Sequence, residues 1–202
     1  MYIRIILWYR EGVMGSYNFF ALASRMKYIY RWGLMRNTDP ESLSRHSLEV
    51  AMTAHALGVI NNEIFGGDAD AQRLAVLGMY HDMSEIITGD MPTPIKYMNK
   101  DISTAYKSIE ISAKLSLEEK LPDKLKPAYH DIFFDKKYEK FIKAADKISA
   151  YIKCTEEENA GNRDFAKAKV SIKQAIEKLA LPEADYFMEH FIPAFELTLD
   201  EI

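Results

Sequence analysis

Residues 69–82 read ADAQRLAVLGMYHD, and from Leu74 onward the apolar residues recur at helical spacing. The pattern predicts a buried helix over 69–83, with His81 and Asp82 at its end. Neighbouring side chains on a helix point about 100° apart, so these two can bind one ion only near a helix end or an irregular turn. For an isolated His-Asp pair, the ordinary interpretation is a core histidine beside a surface acid.

The rest of the chain shows helical periodicity too, without sustained period-2 alternation bounded by hairpin turns. Proline and glycine separate the predicted helices, and Pro122 and Pro127 bracket a predicted loop. The predicted helices are 17–30, 44–61, 69–83, 100–120, 135–158, 164–179 and 182–195. We therefore predict an all-α fold, a single helical bundle of about six or seven helices over residues 17–202. Residues 1–16 are an N-terminal extension.

Composition excludes several classes of protein. Of 202 residues, 48% are hydrophobic and 28% charged, which is ordinary for a globular domain. A net charge of -4 offers no broad cationic surface, so we expect no nucleic-acid polymer as partner. No apolar run approaches the ~18 residues of a membrane span. The single cysteine, Cys154, fits a reducing compartment, and we predict a cytoplasmic protein without membrane contact.

Helical spacing separates the candidate histidines. His46 lies at the start of a predicted helix and His55 follows on its opposite side, so the two cannot share one ion. His55 falls in register with Leu48, Met52 and Val59, which is the spacing of a core face. We therefore expect His55 to pack in the core and His46 to remain as the candidate ligand.

Three further residues could take part in polar or metal contacts. His130, in the predicted Pro-bracketed loop, and His190 have no acidic or imidazole neighbour at useful spacing, which favours structural or solvated roles. Asp146 lies at the edge of a helical apolar stripe, where an unpaired charge is costly. From spacing alone, its partner is equally a metal ion or a Lys or Arg side chain.

The ordered set His46, His81-Asp82 and Asp146 resembles the H…HD…D signature of the HD-domain metal-dependent phosphohydrolases. Further stretches resemble the bacterial YfbR-type 5′-deoxynucleotidases within that superfamily. These stretches are RWGLMRN (31–37), HSLEVAM (46–52), MYHDMSEIITGDMPTPIKY (79–97), AD (145–146) with AY (150–151), and DYFME (185–189). The resemblance spans about residues 17–202 and is far more specific than a lone His-Asp pair.

The resemblance implies an HD-domain bundle that hydrolyses 2′-deoxyribonucleoside 5′-monophosphates to deoxynucleoside and phosphate. It implies one divalent transition-metal ion bound by His46, His81, Asp82 and Asp146. Two nitrogen and two oxygen ligands suit borderline first-row ions. Family likeness favours cobalt and leaves manganese, zinc or copper possible. It also suggests a homodimer, and the aromatic residues of the C-terminal tail could supply interface as readily as core.

The resemblance also assigns residues to substrate. Glu85 resembles the acid/base glutamate of the family, and Arg31 would clamp the phosphate through paired hydrogen bonds and act in catalysis. Trp32 would form a flat wall for sugar or base. The remaining predicted substrate contacts are His46, Asp82, Asp90, Met91, Pro92, Thr93 and Asp146.

One position departs from the family pattern. Members usually carry an acidic residue directly before the first ligand histidine, whereas this chain has Arg45 before His46. Such a reversal either weakens the metal site or leaves Arg45 facing solvent. Two other functions stay open: phosphohydrolase activity on another nucleotide (a deoxynucleoside triphosphate, a cyclic nucleotide or an alarmone), and a non-catalytic nucleotide-binding regulatory role.

Overall fold

A computed structural model describes residues 17–96 and 98–202. The predicted extension, residues 1–16, and Tyr97 lie outside the described residues. The α-helices are α1 Phe19–Ala23, α2 Leu43–Glu63, α3 Ala71–Tyr80, α4 Glu85–Thr88, α5 Thr93–Lys96, α6 Lys100–Glu118, α7 Lys126–Phe133, α8 Glu139–Asn159, α9 Ala166–Leu179 and α10 Pro182–His190. Short 3₁₀ segments are Ser24–Tyr28, Arg163–Phe165, Ile192–Glu196 and Leu199–Glu201.

The all-α prediction is confirmed, because the described residues form helices and a single antiparallel β-bridge between Tyr30 and Ser42. Seven helices are eight residues or longer. Two segments differ from the prediction. Residues 17–30 form the short α1 and a 3₁₀ segment, with the Ser24 hydroxyl hydrogen-bonded to the Ala21 carbonyl at 2.9 Å. Such a local bond competes with continued α-helix.

The second difference is α7, which the sequence did not predict: residues 123–125 form a turn as expected, but a helix begins at Lys126 and includes Pro127. Pro127 lies in the first turn of α7, where a proline removes no intrahelical hydrogen bond. His130 is therefore helical, and its Nδ1 lies 2.9 Å from Glu118 Oε2, an acidic partner that sequence spacing did not reveal. His190, at the end of α10, stacks on Tyr186 with ring centroids 4.2 Å apart.

The long helix α2 is the centre of the bundle and packs against both α3 and α8. Two glycines allow α2 and α3 to approach closely. A Cβ on Gly58 would lie 2.8 Å from Ala71 Cα, and one on Gly78 would lie 2.8 Å from Ala51 Cα. Both contacts are with backbone, so only glycine fits at this separation. The close crossing brings the end of α3 beside the first turn of α2.

The face of α2 that carries His55 points outward, so the prediction that His55 packs in the core is wrong. Leu48, Met52 and Val59 on the same face are 56%, 59% and 39% exposed. The opposite face is the buried one, and its residues include His46, Val50, Ala54, Leu57 and Gly58. Helix α2 carries apolar residues on both faces, and the glycine that permits close packing on α3 lies on the face that is inside.

The buried side chains form two clusters. The larger joins α2, α3, α8, α9 and α10, and the smaller joins α1 to residues around Met83, Leu117 and Phe133. Cys154 is buried and free. In the described part of the chain, every helix is too short or too polar to cross a membrane.

Candidate active site

The bundle brings the four predicted ligands together from three helices. His46 lies in the first turn of α2, Asp146 lies in the middle of α8, and His81 and Asp82 follow directly after the end of α3. One nitrogen or oxygen atom from each of these residues lies within 4.8 Å of the others. The chain leaves the α-helix at His81 and continues in turns to Ser84, which is why two adjacent side chains can face one point.

The atoms that converge are suitable ligands. His46 Nε2 lies 3.2 Å from Asp146 Oδ1 and 3.7 Å from Asp82 Oδ2, while His81 Nε2 lies 3.0 Å from Asp82 Oδ2. Both Nε2 atoms are buried and lie within 3.2 Å of a carboxylate oxygen, but neither contact has hydrogen-bond geometry, and in residues 17–96 and 98–202 they have no other partner. Buried polar atoms almost always have partners, so two such nitrogens facing two carboxylates fit a divalent cation.

The second nitrogen of His81 fixes its orientation. His81 Nδ1 lies 2.8 Å from the Gly78 carbonyl oxygen, so Nδ1 carries the proton and donates it. Nε2, which faces Asp82, is then the nitrogen left to bind a metal. Hydrogen bonding of the non-ligating nitrogen is the usual way in which proteins orient a metal-binding imidazole.

Electrostatics set the two histidines apart: burial opposes the charged form of His81, but the carboxylates of Asp82 and Asp146 outweigh it and raise the pKa of His81, so a cation would compete with a proton there. Burial, reinforced by Arg31, lowers the pKa of His46 and keeps its imidazole neutral. Burial opposes ionisation of Asp82 and Asp146, but the neighbouring imidazoles outweigh it. As a result the pKa of Asp82 is held well below its usual range and that of Asp146 falls to about 2.

Glu85 behaves in the opposite way. Burial, together with the carboxylates of Asp82 and Asp90, raises the pKa of Glu85 to about 9. Glu85 is the first residue of α4, and its buried Oε2 has no hydrogen-bond partner in the described part of the chain. Its carboxyl group is therefore protonated at neutral pH and stands beside the ligand cluster.

Arg31 and Trp32 are held by a buried carboxylate that sequence reasoning missed. Glu41 is 1% exposed, and its Oε2 accepts hydrogen bonds from Arg31 Nη1 and Trp32 Nε1, each at 2.8 Å. Arg31 Nη2 lies 3.7 Å from Asp146 Oδ1, so Asp146 has an arginine as well as an imidazole beside it. Glu41 belongs to no periodic pattern, and its partners are ten and nine residues away across a loop.

Trp32 is in the left-handed region of the backbone, with φ of +62°. This conformation costs a bulky residue about 1–3 kcal/mol and persists only where its surroundings impose it. The hydrogen bond to Glu41 and packing on Phe165, with ring centroids 5.1 Å apart, supply that constraint. Strain of this kind clusters at ligand sites, and Trp32 lines the cleft described next.

A cleft of about 660 Å³ opens beside the cluster. Arg31 and Trp32 border it on one side, and the predicted segment of Asp90, Met91, Pro92 and Thr93 borders it on another. Helix α9 adds a wall that sequence reasoning did not predict, made of Ala168, Ser171, Ile172 and Ala175. Asp146 reaches the cleft directly, whereas His46 and Glu85 are buried behind it.

Arg45 points away from the ligand cluster. Its side chain is 40% exposed, and its guanidinium pairs with Asp39, with Glu49 Oε1 at 3.0 Å and with Glu156 Oε2 at 3.4 Å. The positive charge of Arg45 beside His46 is therefore paired with three carboxylates, and Arg45 does not enter the cluster of the four ligand side chains.

The sequence of this chain is similar to those of known proteins over nearly its whole length. Residues 18–195 match the model of a family described as 5′-deoxynucleotidase YfbR-like. The 5′-deoxynucleotidase YfbR of Salmonella typhi is 48% identical over 197 residues, covering 94% of this chain and 97% of that protein. The protein of the same name from Escherichia coli strain K12 is 47% identical over 193 residues, with the same coverage.

Solved structures agree in fold. An HD-domain phosphohydrolase from Listeria innocua superposes with a TM-score of 0.77 at 22% identity, over 88% of each chain. The HD phosphohydrolase of cyanophage S-2L, solved with dA and one catalytic Zn²⁺ ion, gives a TM-score of 0.60 at 17% identity, covering 86% of this chain and 95% of that one. With both the family match and the near full-length relatives, this chain belongs to the 5′-deoxynucleotidase YfbR-like family.

Proposed function

We propose that this protein is a metal-dependent 5′-deoxynucleotidase, which hydrolyses 2′-deoxyribonucleoside 5′-monophosphates to deoxynucleoside and phosphate. The observation that carries the proposal is the pair of buried Nε2 atoms of His46 and His81 facing Asp82 and Asp146. Family membership supports the substrate class, because relatives named 5′-deoxynucleotidase align over 94% of this chain.

His46, His81, Asp82 and Asp146 would hold one divalent ion. When bound, such an ion neutralises phosphate charge and lowers the pKa of a water ligand, which makes a nucleophile near neutral pH. Cobalt is our first choice, and manganese, zinc or copper suit the same donor set.

Arg31 would bind the phosphate group. Its guanidinium is anchored by Glu41 and lies at the edge of the cleft beside Asp146. Arginine donates paired hydrogen bonds to phosphate oxygens and stabilises the charge that builds there in the transition state. We therefore assign Arg31 both a binding and a catalytic role, and Trp32 the wall against the sugar or base.

Glu85 supplies the proton for the leaving group. Water attacks phosphorus, the bond from phosphorus to the 5′-oxygen breaks, and that oxygen needs a proton to leave as a hydroxyl. A carboxyl that keeps its proton at neutral pH is suited to donate it. The proton released by the attacking water then restores Glu85.

The sugar and base would occupy the rest of the cleft. Asp90 can accept a hydrogen bond from the 3′-hydroxyl, and Met91, Pro92 and Thr93 narrow the space near C2′, where a ribonucleotide carries an extra hydroxyl. The α9 wall is built mainly of small and apolar side chains, which pack against any base. We therefore expect strong selection against ribose and weak selection among bases.

The test is phosphate release by Co²⁺-loaded protein from deoxynucleoside and ribonucleoside monophosphates. We expect Asp82→Ala to lose both metal and turnover, and Glu85→Ala to keep the metal and lose rate. Release of pyrophosphate or triphosphate from other nucleotides would identify a different phosphohydrolase. Binding of a deoxynucleoside monophosphate without any phosphate release would indicate a regulatory protein instead.

We also propose a cytoplasmic homodimer. A single, buried and free Cys154 fits a reducing compartment. Of the aromatic tail residues, Phe187 is only 8% exposed and belongs to the core, whereas Phe191 and Phe195 are 46% and 38% exposed and are available for an interface. Light scattering at micromolar concentration tests the oligomeric state, and a monomer mass would refute the dimer.

A further inference from the structure

The second nitrogen of His46 has a crowded environment. His46 Nδ1 lies 2.7 Å from Arg31 Nη1, 3.1 Å from Ser149 Oγ and 3.7 Å from Glu41 Oε1. Ser149 is fully buried on α8, one turn after Asp146. If His46 binds a metal through Nε2, its Nδ1 must carry the proton and needs an acceptor.

Only one of these three neighbours is an acceptor at hydrogen-bond distance. A guanidinium has no lone pair to offer, so Arg31 cannot accept the Nδ1 proton. The Glu41 oxygen at 3.7 Å is too far for a hydrogen bond. Ser149 Oγ is close enough, and a serine hydroxyl can accept provided that its own proton points elsewhere.

That proton does point elsewhere. Ser149 Oγ donates to Glu49 Oε2 at 3.2 Å, and a hydroxyl has a single proton to give. Its lone pairs are then free to face His46. The carboxylate of Glu49 is positioned in turn by Arg45, whose Nε donates to the other oxygen, Oε1, at 3.0 Å.

We propose that Glu49 and Ser149 are positioning residues for the metal site: Glu49 directs the Ser149 hydroxyl, Ser149 accepts the Nδ1 proton of His46, and the Nε2 lone pair of His46 thereby faces Asp82 and Asp146. This inference rests on the proposed metal site. It also accounts for Arg45, because the residue that departs from the family pattern holds the outer end of this hydrogen-bonded chain.

The same proton arrangement affects Arg31. At 2.7 Å, Arg31 Nη1 can only donate to Nδ1, so in this structure Nδ1 holds a lone pair and is not protonated. Metal binding through Nε2 moves the proton of His46 to Nδ1, so Arg31 gives up His46 as a partner. Glu41 remains as its acceptor at 2.8 Å. The N–H group released from His46 is then available to the phosphate in the cleft.

The experiment measures Co²⁺ affinity of the metal-free full-length protein by competition with a chromogenic chelator. Loss of a hydrogen bond to a metal-binding histidine typically costs about 10- to 100-fold in affinity, and we expect Ser149→Ala to weaken Co²⁺ binding by that factor. The matched control is Ser47→Ala. Ser47 is also buried and adjacent to His46, but its hydroxyl has no hydrogen-bond partner in the described residues, so Co²⁺ affinity should stay within about twofold.

A second matched pair tests the outer end of the chain. Glu49 and Glu156 both pair with Arg45, but only Glu49 contacts Ser149. We expect Glu49→Ala to weaken Co²⁺ binding and Glu156→Ala to leave it unchanged. If the role of Glu49 were only structural, Glu49→Ala would lower the melting temperature but would bind Co²⁺ as tightly as Glu156→Ala does.

Two outcomes overturn different statements. If the unaltered protein binds one Co²⁺ that Asp82→Ala abolishes, while Ser149→Ala binds it as tightly as the parent, the positioning role is refuted and the metal site stands. If the unaltered protein binds no Co²⁺, the proposed metal site itself fails. Should Ser149→Ala not fold, Ser149→Cys, which keeps the volume with a poor acceptor, gives the same test.

Discussion

The close crossing of α2 and α3 reverses the usual effect of replacing glycine by alanine on the stability of a helix. In an exposed helix, replacing glycine by alanine stabilises by up to about 1 kcal/mol. Gly78 does not have that freedom, because a Cβ there would lie 2.8 Å from Ala51 Cα and 3.0 Å from the Val50 carbonyl oxygen. Neither backbone atom can move without moving α2.

The magnitude follows from these contacts. Overpacking of this kind costs about 1–3 kcal/mol, and the helical preference of alanine offsets part of it, so we expect Gly78→Ala to destabilise by roughly 1–2 kcal/mol. For a protein of this size, that lowers the melting temperature by about 2–8 °C. Differential scanning calorimetry of the metal-free protein measures it directly.

Gly58→Ala is the matched control. Its Cβ would meet Ala71 Cα at 2.8 Å in the same crossing, but Gly58 is three turns along α2 from His46. We expect a similar loss of stability from both variants. Only Gly78→Ala should also weaken Co²⁺ binding, because its carbonyl accepts the proton of His81 Nδ1. An unchanged or higher melting temperature for Gly78→Ala would refute the argument from close packing.

Four further predictions concern charge and metal. Glu41→Gln removes the charged acceptor that positions Arg31. We expect transition-state stabilisation to fall by about 1.5–3 kcal/mol, which steady-state assays measure as a roughly 10- to 150-fold loss in kcat/KM. A loss below threefold would exclude the positioning role. Because Glu85 must be protonated to act as an acid, the rate should fall as pH rises through the pKa of Glu85. That pKa is raised to about 9, and a bound cation would lower it. The pH profile of Glu85→Gln should lack that limb, and a retained limb would assign it to another group. Lys153→Met leaves the buried Glu157 without its cation and should cost about 3–5 kcal/mol in denaturant unfolding, whereas a change under 1 kcal/mol would contradict this. Chelation should abolish activity, and activity that survives chelation would refute the metal requirement. Co²⁺ at about 100 times its Kd should add about 2.7 kcal/mol to the free energy of unfolding, which corresponds to a rise in melting temperature of about 5–11 °C.

Much of the site could be predicted from the sequence because it is carried by local signals. His81 and Asp82 end a clearly periodic helix, and His46 begins another, so their placement at helix ends followed from spacing and punctuation. The segment from Asp90 to Thr93 was recognisable by its resemblance to a family and lies on the cleft, and its contact with substrate stays a prediction.

The residues that support the site could not be predicted in this way. Glu41 holds Arg31 and Trp32 from across a loop, and Ser149 meets His46 across 103 positions of sequence. Neither contact leaves a periodic trace, because a hydrogen bond between elements depends on how those elements pack and not on their own repeat.

The errors have the same origin. The apolar face of α2 that carries His55 was predicted to be buried, and it is exposed. The sequence by itself determined that the chain is helical, through local periodicity, and its motifs carry the family resemblance that implies the metal ligands. Only the tertiary structure decided which helix face is inside and which side chains orient the ligands. The first depends on the close contact of α2 with α3 at Gly58 and Gly78, and the second on the packing of α2 against α8, which are constraints between segments that no single segment contains.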